Sequence, residues 1–442
     1  MHRRDLLKLL SLSTLAVTAA PLLAACGSGS GPGGRAAGGG DVELVSADVA
    51  RSSGDPAAVP DVVAAMHATG GALYGSLAET PGNLAISPYS ISAALALTAN
   101  GARGETLDQL ELVFGGTGIE RVNGGLNALT THLESLAGEV EKSEGTRTEL
   151  VLDAANALFG QRGLTWGEPF LETLAASYGA GMNVVDWAGD TEAARRAVNA
   201  WTAKQTRDKI PEILPVDSVD PDVRLVLVNT LYLKAPWDRP FDQGRTEDGA
   251  FTLLDDSRVD VPLMTSHDPV GDAYAEGAGW TAARLAYAGG EVAMTVVVPD
   301  PGRFDEVEKD VVGRGAGVFL SALQPDAVVV TLPSWTFRSP ASLGAPLETL
   351  GVELPFRREA DFSAMTTDEP VHVGAVVHEV FIAVDEEGTE AAAATAVGMA
   401  GTTSSPPERT TLVVDRPFLF VIHDVEHGTP LFLGRVVDPR PS

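Results

Sequence analysis

Residues 375–384 are the stretch of this chain that most restricts its fold. They read AVVHEVFIAV, in which every side chain is apolar except those of His378 and Glu379. Ten consecutive residues of this apolar, β-branched composition are typical of a strand that is covered on both faces. Such a strand needs a large sheet with other elements packed on each side. The sequence therefore predicts a central strand of a large sheet at 375–384.

Further apolar runs predict the elements around this strand. Strand-like composition marks five earlier segments, at 150–160, 182–187, 223–234, 293–300 and 327–333. Near the C-terminus, TLVV, PFLFVIH and PLFLGRVV are three more strand candidates. A helical period begins at Asp61 and recurs at 165–178 and 191–209. Because no repeat and no shift in composition interrupts these segments, the sequence predicts one α+β domain over 59–442.

One predicted helix has apolar residues on nearly every side. It begins in the segment NLAISPYSISAALALTAN, where Ser87 is a plausible N-cap and Pro88 suits the first helical position. Ala, Leu and Ile then fill almost the whole circumference, which is typical of a helix that is buried in a large core.

The N-terminal residues are predicted to direct export. Residues 1–25 carry basic residues, then a short apolar run, then small residues, as in a signal peptide. The sequence Leu-Ala-Ala-Cys ends at Cys26 and resembles the lipobox of bacterial lipoproteins, in which the cysteine is acylated. This resemblance implies an exported protein that is anchored to the outer face of the cell membrane. Arg3-Arg4 also resembles a twin-arginine signal, so both export routes stay open.

Composition limits the partners and the sources of stability. Residues 26–58 are rich in Gly, Ser and Ala, which predicts a flexible tether between the anchor and the domain. The net charge of −29 argues against nucleic acid and anionic membrane surfaces as partners. With a single cysteine, Cys26, no intrachain disulfide can form, and a cysteine-rich metal site is excluded.

Several ordered motifs across 61–442 resemble the serpin family. They are NLxxSPYSIS at 83–92, GARGET at 101–106, NALF at 156–159, VNAW at 198–201, KI at 209–210, VNTLYLK at 228–234 with Trp237 and RPF at 239–241, EEGTEAAAAT at 386–395, RPFLF at 416–420 and GRV at 434–436. Because these motifs follow one another at the family's spacing, the chain is identified as a member of the family, in a bacterial lipoprotein form. The resemblance implies a large central mixed β-sheet, two smaller sheets, about eight to nine helices and an exposed reactive-centre loop at about 386–410.

The resemblance also implies a function. Serpins are single-use protein inhibitors, not enzymes, and each traps a serine protease by inserting its cleaved loop into its own large sheet. The hinge from which insertion starts would comprise Glu386, Gly388, Thr389, Glu390, Ala391, Ala392, Ala393, Ala394 and Thr395. Taken alone, this Ala-rich stretch favours a helix. As a strand it would alternate, with Thr389 facing inward and the charge of Glu390 facing solvent.

The loop sequence limits the choice of protease. Counting at family spacing from Gly388 places the scissile bond at Thr402-Thr403, and counting from Pro406-Pro407 shifts it to Thr403-Ser404. In both cases the residue before the bond is small and neutral. No Arg or Lys lies between Thr389 and Glu408, so elastase-like or subtilisin-like targets are favoured over trypsin-like ones.

By resemblance, four further residues would hold the large sheet closed where two of its strands separate. These are Ser87, Ser90, Asn229 and His378, while Trp237 would lie where the loop first inserts. One departure from the family pattern stands out. The family often pairs the acid at position 386 with a lysine just after Leu-Pro, but Leu332-Pro333 is followed here by Ser334. We therefore expect weaker closure at that point, or closure by other contacts.

Other functions are less consistent with the sequence. A serine hydrolase would need a strand–GxSxG–helix context, and a metal enzyme would need His or Cys pairs at ligand spacing; neither pattern occurs. We therefore expect no cofactor and no metal. The alternative that stays open is a non-inhibitory serpin, a surface binding protein that is cleaved as a plain substrate. Residues 120–150 hold three Arg or Lys against six Glu, so glycosaminoglycan binding is not expected. We expect a monomer.

Overall fold

The computed structural model describes residues 42–390 and 409–441. Within these residues the chain forms nine α-helices and several short 3-10 turns. The helices are α1 (Val59–Leu77), α2 (Pro88–Ala99), α3 (Gly104–Glu111), α4 (Ile119–Leu136), α5 (Glu168–Tyr178), α6 (Thr191–Gln205), α7 (Phe304–Arg314), α8 (Gly317–Leu320) and α9 (Gly344–Thr349). None of the described helices is both long enough and apolar enough to cross a membrane.

Eighteen strands accompany these helices in the described residues. They are β1 (Glu43–Val45), β2 (Leu84–Ile86), β3 (Gly138–Glu141), β4 (Arg147–Gln161), β5 (Met182–Val185), β6 (Leu225–Pro236), β7 (Glu247–Thr252), β8 (Arg258–Thr265), β9 (Gly271–Gly277), β10 (Trp280–Ala286), β11 (Val292–Pro299), β12 (Gln324–Pro333), β13 (Trp335–Ser342), β14 (Val373–Val384), β15 (Gly388–Thr389), β16 (Thr410–Val413), β17 (Phe418–Asp424) and β18 (Pro430–Val436).

The large sheet has the strand order β1-β5-β4-β6-β15-β14-β13, and β3 extends it by pairing with β4. It is mixed, because β4 and β6 are antiparallel whereas β6 and β14 are parallel. The predicted central strand at 375–384 is confirmed as part of β14. The α+β class that the sequence predicted is confirmed as well.

The remaining ten strands form a second sheet, in the order β2-β18-β17-β11-β10-β9-β12-β8-β7, with β16 beside β12. The resemblance predicted two smaller sheets. In the described residues these are joined by hydrogen bonds into one continuous sheet of ten strands. They meet where β12 pairs with β9, and the register shifts there between Pro325 and Val328. Val328 is the last residue of β12 that pairs with β9, and the rest of the strand pairs with β16 and β8.

Helix α2 positions the polar groups of the site that is described below. Every residue from Pro88 to Ala99 is buried, as the apolar circumference of this helix predicted. Ser87 is its N-cap, and the Ser87 hydroxyl accepts a hydrogen bond of 3.2 Å from the Ser90 amide. The helix packs against β4, β6 and β18, so that its first turn lies directly behind the large sheet.

The described chain begins earlier than the sequence predicted. β1 pairs with β5 at the edge of the large sheet, and the Ser52 amide donates to the Ala176 carbonyl oxygen at 2.8 Å. Arg51 forms an ion pair of 2.8 Å with Glu134 of α4. The prediction of a flexible tether over 26–58 is therefore wrong for residues 42–58, which are tied to the domain by backbone and side-chain bonds. The predicted signal peptide, residues 1–25, and Cys26 lie outside the described residues.

Candidate functional site

The boundary between β6 and β14 is the central feature of the large sheet, and we call it the opening line. The two strands pair directly and in parallel, from Val373 beside Leu225 to Val380 beside Leu231. At the far end of the line β15 lies between them, with Thr389 paired to Val384 of β14 and to Ala235 of β6. The sheet is therefore closed along most of the line and already holds two loop residues at one end.

The structure brings together the four residues that were predicted to hold the sheet closed. His378 of β14 and Asn229 of β6 are register partners across the opening line, and the His378 Nδ1 group is hydrogen-bonded to the side-chain oxygen Oδ1 of Asn229. The Ser87 amide donates to His378 Nε2 at 3.0 Å. Asn229 Nδ2 donates to Ser90 Oγ at 2.8 Å. This cluster joins helix α2 to both strands of the opening line.

Asn156 of β4 is a fifth member of the cluster, which sequence reasoning missed. Its side-chain oxygen accepts a hydrogen bond of 2.6 Å from Ser90 Oγ and another from Asn229 Nδ2. Asn156 lies in register with Asn229, so the network spans β4, β6 and β14. The signal in the sequence was an amide side chain in the middle of a strand-like run, because a buried amide requires partners.

His378 is neutral in this cluster. Because its Nε2 atom accepts from a backbone N–H group, the ring proton lies on Nδ1 and is donated to Asn229. Complete burial lowers the pKa of His378 to about 3. The histidine is thus a hydrogen-bonding residue between two strands and not a proton-transfer group at neutral pH.

The chain turns sharply between β14 and β15, and Asp385 stabilises that turn. The Asp385 carboxylate accepts from the amides of Glu387 at 2.9 Å and Gly388 at 3.2 Å. Burial raises the pKa of Asp385, while these two amide bonds act in the opposite direction. The Asp385 carbonyl oxygen in turn accepts from Trp237 Nε1 at 3.0 Å. Trp237 therefore lies at the start of the loop, where the sequence predicted it.

Gly388 is required by the close approach of β15 to β6. Its φ of +152° is one that side chains with a Cβ rarely adopt. A Cβ atom at this position would lie 2.3 Å from the Ala235 carbonyl oxygen and 2.7 Å from the Pro236 Cα atom. Only glycine lets the loop turn and enter the sheet without displacing the end of β6.

Thr389 faces the interior, as its place in the strand alternation predicted. It is 3% exposed, and its hydroxyl forms a 2.5 Å hydrogen bond with the Tyr287 hydroxyl. The Tyr287 ring stacks on that of Trp237, with centroids 4.5 Å apart and planes 3° from parallel. A small side chain fits between these groups and the strands, whereas a long or charged one does not.

In the uncleaved protein the charge of Glu390 is paired and nearly buried, whereas the solvent-facing position expected for it in an inserted strand stays a prediction. Its carboxylate forms an ion pair with Lys209, and the side chain is 9% exposed. The φ of Glu390 is +54°, in the left-handed region, and its amide donates to the Ala383 carbonyl oxygen at 2.9 Å. β15 ends at Thr389, because a strand does not continue through a residue in the conformation of Glu390.

Closure beside the hinge is made without the lysine that is common in the family. The Glu386 carboxylate accepts a 2.5 Å hydrogen bond from the Thr246 hydroxyl. The Phe241 amide donates to the Glu386 carbonyl oxygen at 2.9 Å, and the Trp237 amide donates to that of Glu387 at 2.8 Å. The sequence left two alternatives open, weaker closure or closure by other contacts. The structure has other contacts at this end of the sheet.

Comparison with known proteins identifies the family to which this arrangement belongs. The family model described as Serpin (serine protease inhibitor) matches residues 64–439, which is most of the chain. The chain is a serpin. Serpins are generally inhibitors of serine proteases and not enzymes. The human leukocyte elastase inhibitor is 33% identical to this serpin over 377 residues, which cover 83% of this chain and 96% of that protein.

Solved structures of serpins have the same fold. The native state of tengpin, a thermophilic serpin, superposes with a TM-score of 0.77 at 25% identity, covering 90% of this serpin and 100% of tengpin. Human thyroxine-binding globulin in complex with its ligand gives a TM-score of 0.74 at 26% identity, covering 86% and 99% of the two chains.

The rest of the predicted loop lies outside the described residues of this serpin. This applies to the second half of the hinge, Ala391, Ala392, Ala393, Ala394 and Thr395, and to the predicted scissile bond at Thr402-Thr403. After the loop, the described chain resumes at Arg409 and enters β16, which pairs with β12 in the second sheet. The two ends of the loop are thus fixed in different sheets.

Proposed function

We propose that this serpin is a suicide-substrate inhibitor of serine proteases with elastase-like or subtilisin-like specificity. The protease would cleave the loop at Thr402-Thr403, or one residue later, and form an acyl-enzyme. The freed loop would then insert between β6 and β14 and trap the attached enzyme. The alternative, a non-inhibitory binding protein, predicts cleavage without a stable complex.

The observation that supports this proposal best is the pairing of Gly388 and Thr389 between β6 and β14. The loop already has the register that a longer inserted strand would continue. The residues that follow, Ala391 to Thr395, are small, so their inward-facing side chains would fit the narrow space that Thr389 occupies.

The energetic basis of the mechanism follows from the opening line. Insertion must first break the pairs between β6 and β14 and the hydrogen bond between His378 and Asn229. The inserted strand then forms hydrogen bonds with both neighbours, so more are formed than are lost. A strand of about a dozen residues would carry the protease roughly 40 Å. This displacement would distort the attached protease, including its oxyanion hole, and would therefore slow deacylation.

The predicted specificity depends on the residues before the scissile bond. Thr402 or Thr403 would occupy the primary pocket of the protease, and both are small and neutral. A trypsin-like pocket prefers Arg or Lys, which is absent from 389–408. That a relative is named leukocyte elastase inhibitor agrees with this preference.

We also propose that the inhibitor acts outside the cell, anchored to the membrane by lipid-modified Cys26. The support for this is the lipobox-like sequence before Cys26 and the lack of any other cysteine that a disulfide would need. Expression of Cys26→Ser and cell fractionation test the anchor. The wild type should stay with membranes and the variant should be released, so a membrane-bound variant would contradict the proposal.

The inhibitory mechanism is tested by incubating the full chain carrying Cys26→Ser with pancreatic elastase, subtilisin and trypsin. Denaturing gels and intact mass spectrometry should reveal a covalent complex of the summed mass with elastase or subtilisin. The released C-terminal peptide should begin at Thr403 or Ser404.

Cleavage without a complex would contradict inhibition of these enzymes. The thermal stability of the cleaved product then distinguishes a serpin whose loop still inserts from a non-inhibitory one. A large increase in melting temperature on cleavage means that the loop still inserts and that the protease is a poor target. An unchanged melting temperature would support the non-inhibitory alternative.

A further inference from the structure

Four of the eight histidines surround the turn between β17 and β18, far along the chain from the hinge. They are His67 of α1, His132 of α4, and His423 and His427 at the turn itself. Two of the four are held by other protein groups. His67 Nε2 donates to the Gly428 carbonyl oxygen at 2.9 Å, and His423 contacts Thr295 Oγ1 and the Asp424 carbonyl oxygen, each at 3.0 Å.

The other two histidines converge on one carboxylate. His132 Nδ1 lies 3.7 Å from Glu426 Oε2, and His427 Nε2 lies 3.9 Å from Glu426 Oε1. One ligand atom from each of the three residues lies within 4.8 Å of the other two. The two rings meet edge to face, with centroids 4.9 Å apart. The ligand atoms of a tetrahedral zinc site lie about 3.4 Å apart when the bonds are about 2.1 Å.

A small rotation of two surface side chains would bring the three atoms to that spacing. Glu426 and His427 lie on the turn, with side chains 67% and 29% exposed, so both can rotate without disturbing the core. His132 is more restricted, at 21% exposed on helix α4. The arrangement therefore has one fixed ligand and two adjustable ones on the solvent side.

The far side of the His132 ring faces a buried carboxylate. His132 Nε2 has no hydrogen-bond partner within the described residues, and its nearest acid oxygen is Asp424 Oδ2 at 3.6 Å. Asp424 is completely buried and is fixed by the amides of His427 and Thr429, each at 2.7 Å. A carboxylate behind a metal-binding histidine fixes its tautomer and increases its basicity. A proton on Nε2, on the side of Asp424, would leave the lone pair of Nδ1 on the side of Glu426, where it could bind an ion.

From this geometry we propose that His132, Glu426 and His427 bind a divalent transition-metal ion of the zinc class. Two imidazoles and one carboxylate match the ligands of Zn²⁺ sites with three protein ligands, in which water completes the coordination. Ca²⁺ and Mg²⁺ prefer sites made entirely of oxygen and are disfavoured by the two nitrogen ligands. Sequence spacing did not reveal the site because His132 and His427 lie on elements that are distant along the chain.

Binding would connect two layers of the fold. His132 belongs to helix α4, which leads through β3 into β4 of the large sheet, whereas Glu426 and His427 lie on the turn between two strands of the second sheet. A bound ion would therefore link α4 to the turn between β17 and β18. Without the ion, α4 approaches this turn through the side chain of His132, which lies near those of Asp424 and Glu426. This proposal is independent of the protease target.

The site is tested with the full chain carrying Cys26→Ser, purified without a polyhistidine tag, so that neither a thiol nor added histidines compete. Zn²⁺ is titrated against a chromophoric chelator, and Co²⁺ is used to record the visible bands of a tetrahedral site. We expect one ion per chain. His132→Gln, Glu426→Gln and His427→Gln should each weaken binding at least tenfold. The matched control is His267→Gln, which alters another surface histidine next to an acid, Asp268 at 3.6 Å.

The outcomes separate a metal site from a plain ion pair. Stoichiometric binding that all three variants weaken and that His267→Gln leaves unchanged supports the proposal. Absence of Zn²⁺ binding, or binding that persists in His427→Gln and Glu426→Gln, overturns it. These two variants change exposed side chains, so the test stands even if His132→Gln unfolds. Zn²⁺ should also raise the melting temperature of the parent protein and leave that of His427→Gln unchanged.

Discussion

His378 of β14 and Asn229 of β6 are register partners, and the hydrogen bond between their side chains crosses the opening line of the large sheet. The same Asn229 amide donates to Ser90 and Asn156, so the bond is fixed from both sides. A strand that inserts between β6 and β14 must break this contact. The strength of the cluster therefore affects both the stability of the native state and the ease with which the sheet opens.

Replacement of Asn229 by Ala should affect both properties. The change leaves the buried Nδ1–H group of His378 without a partner, and such a group costs about 1–3 kcal/mol. It also removes one hydrogen bond each from Ser90 and Asn156, which stay bonded to each other. We expect the free energy of unfolding to fall by at least about 2 kcal/mol in urea titrations. The uncleaved protein should also convert at least tenfold faster on warming to an inserted or self-associated form, measured on native gels.

Asn199→Ala is the matched control for that experiment. Asn199 also makes two buried hydrogen bonds, both of 2.9 Å to the backbone of Leu214, but it lies on α6 away from the opening line. It should lose comparable stability without faster conversion. Equal conversion rates in the two variants would show that the cluster does not control opening.

The pH dependence of stability should depend on His378. Burial lowers its pKa in the native state to about 3, below the ordinary histidine value of 6.5, so the unfolded chain binds the proton more tightly. The stabilising contribution of the neutral ring is therefore complete above pH 6.5 and is lost as the pH falls toward 3. Relative to His378→Gln, the wild type should lose up to about 1.4 kcal/mol per pH unit between pH 6 and pH 4. Urea titrations at several pH values measure this, and the exposed variant His267→Gln should follow the wild type.

Thr389→Arg should convert the inhibitor into a substrate. Thr389 is buried against Tyr287, and an arginine there would have to bury an unpaired charge. Elastase should still cleave the loop, but we expect at least tenfold less covalent complex on denaturing gels. Thr389→Ser keeps the hydroxyl and the small volume, so it should form the complex normally. A Thr389→Arg variant that still traps the protease would contradict insertion through this position.

Gly388→Ala should displace the start of the loop from the sheet. The new Cβ atom would lie 2.3 Å from the Ala235 carbonyl oxygen, and the positive φ adds strain of about 1–3 kcal/mol. We expect the Glu390 amide, which is bonded to Ala383, to exchange its hydrogen at least tenfold faster. Gly313→Ala is the control, because it lies in α7 with no atom within 4 Å of the added Cβ. Unchanged exchange in Gly388→Ala would mean that the backbone adapts at no cost.

The sequence predicted best those elements that are long and mostly apolar. β6, β11 and β14 are runs of this kind, and each lies within about two residues of its predicted limits. The strands β7, β8, β9 and β10 were missed, because they alternate buried and exposed residues and carry several charges. The tripeptide β1 is too short to have a recognisable pattern, and only its pairing with β5 makes it a strand.

The candidate site was predictable where a motif carried it and not where partners come from distant segments. Ser87, Ser90, Asn229 and His378 follow from resemblance, and the structure brings them together. Nothing in the sequence indicates that Thr246 bonds Glu386 or that Lys209 pairs with Glu390. The solvent-facing position of Glu390 was expected for the inserted strand and stays a prediction, because strand alternation does not apply to the left-handed conformation that Glu390 has before cleavage.

The two paired residues at the start of the loop also bear on the speed of trapping. Starting a new strand inside a sheet is the slow step, since the chain loses freedom before contacts compensate for it, whereas lengthening an existing strand adds contacts with each residue. In the proposed mechanism, Gly388 and Thr389 already pair with both neighbouring strands, so nucleation would be complete before a protease arrives. What would remain is propagation, which requires Glu390 to rotate out of its left-handed conformation as β6 and β14 separate.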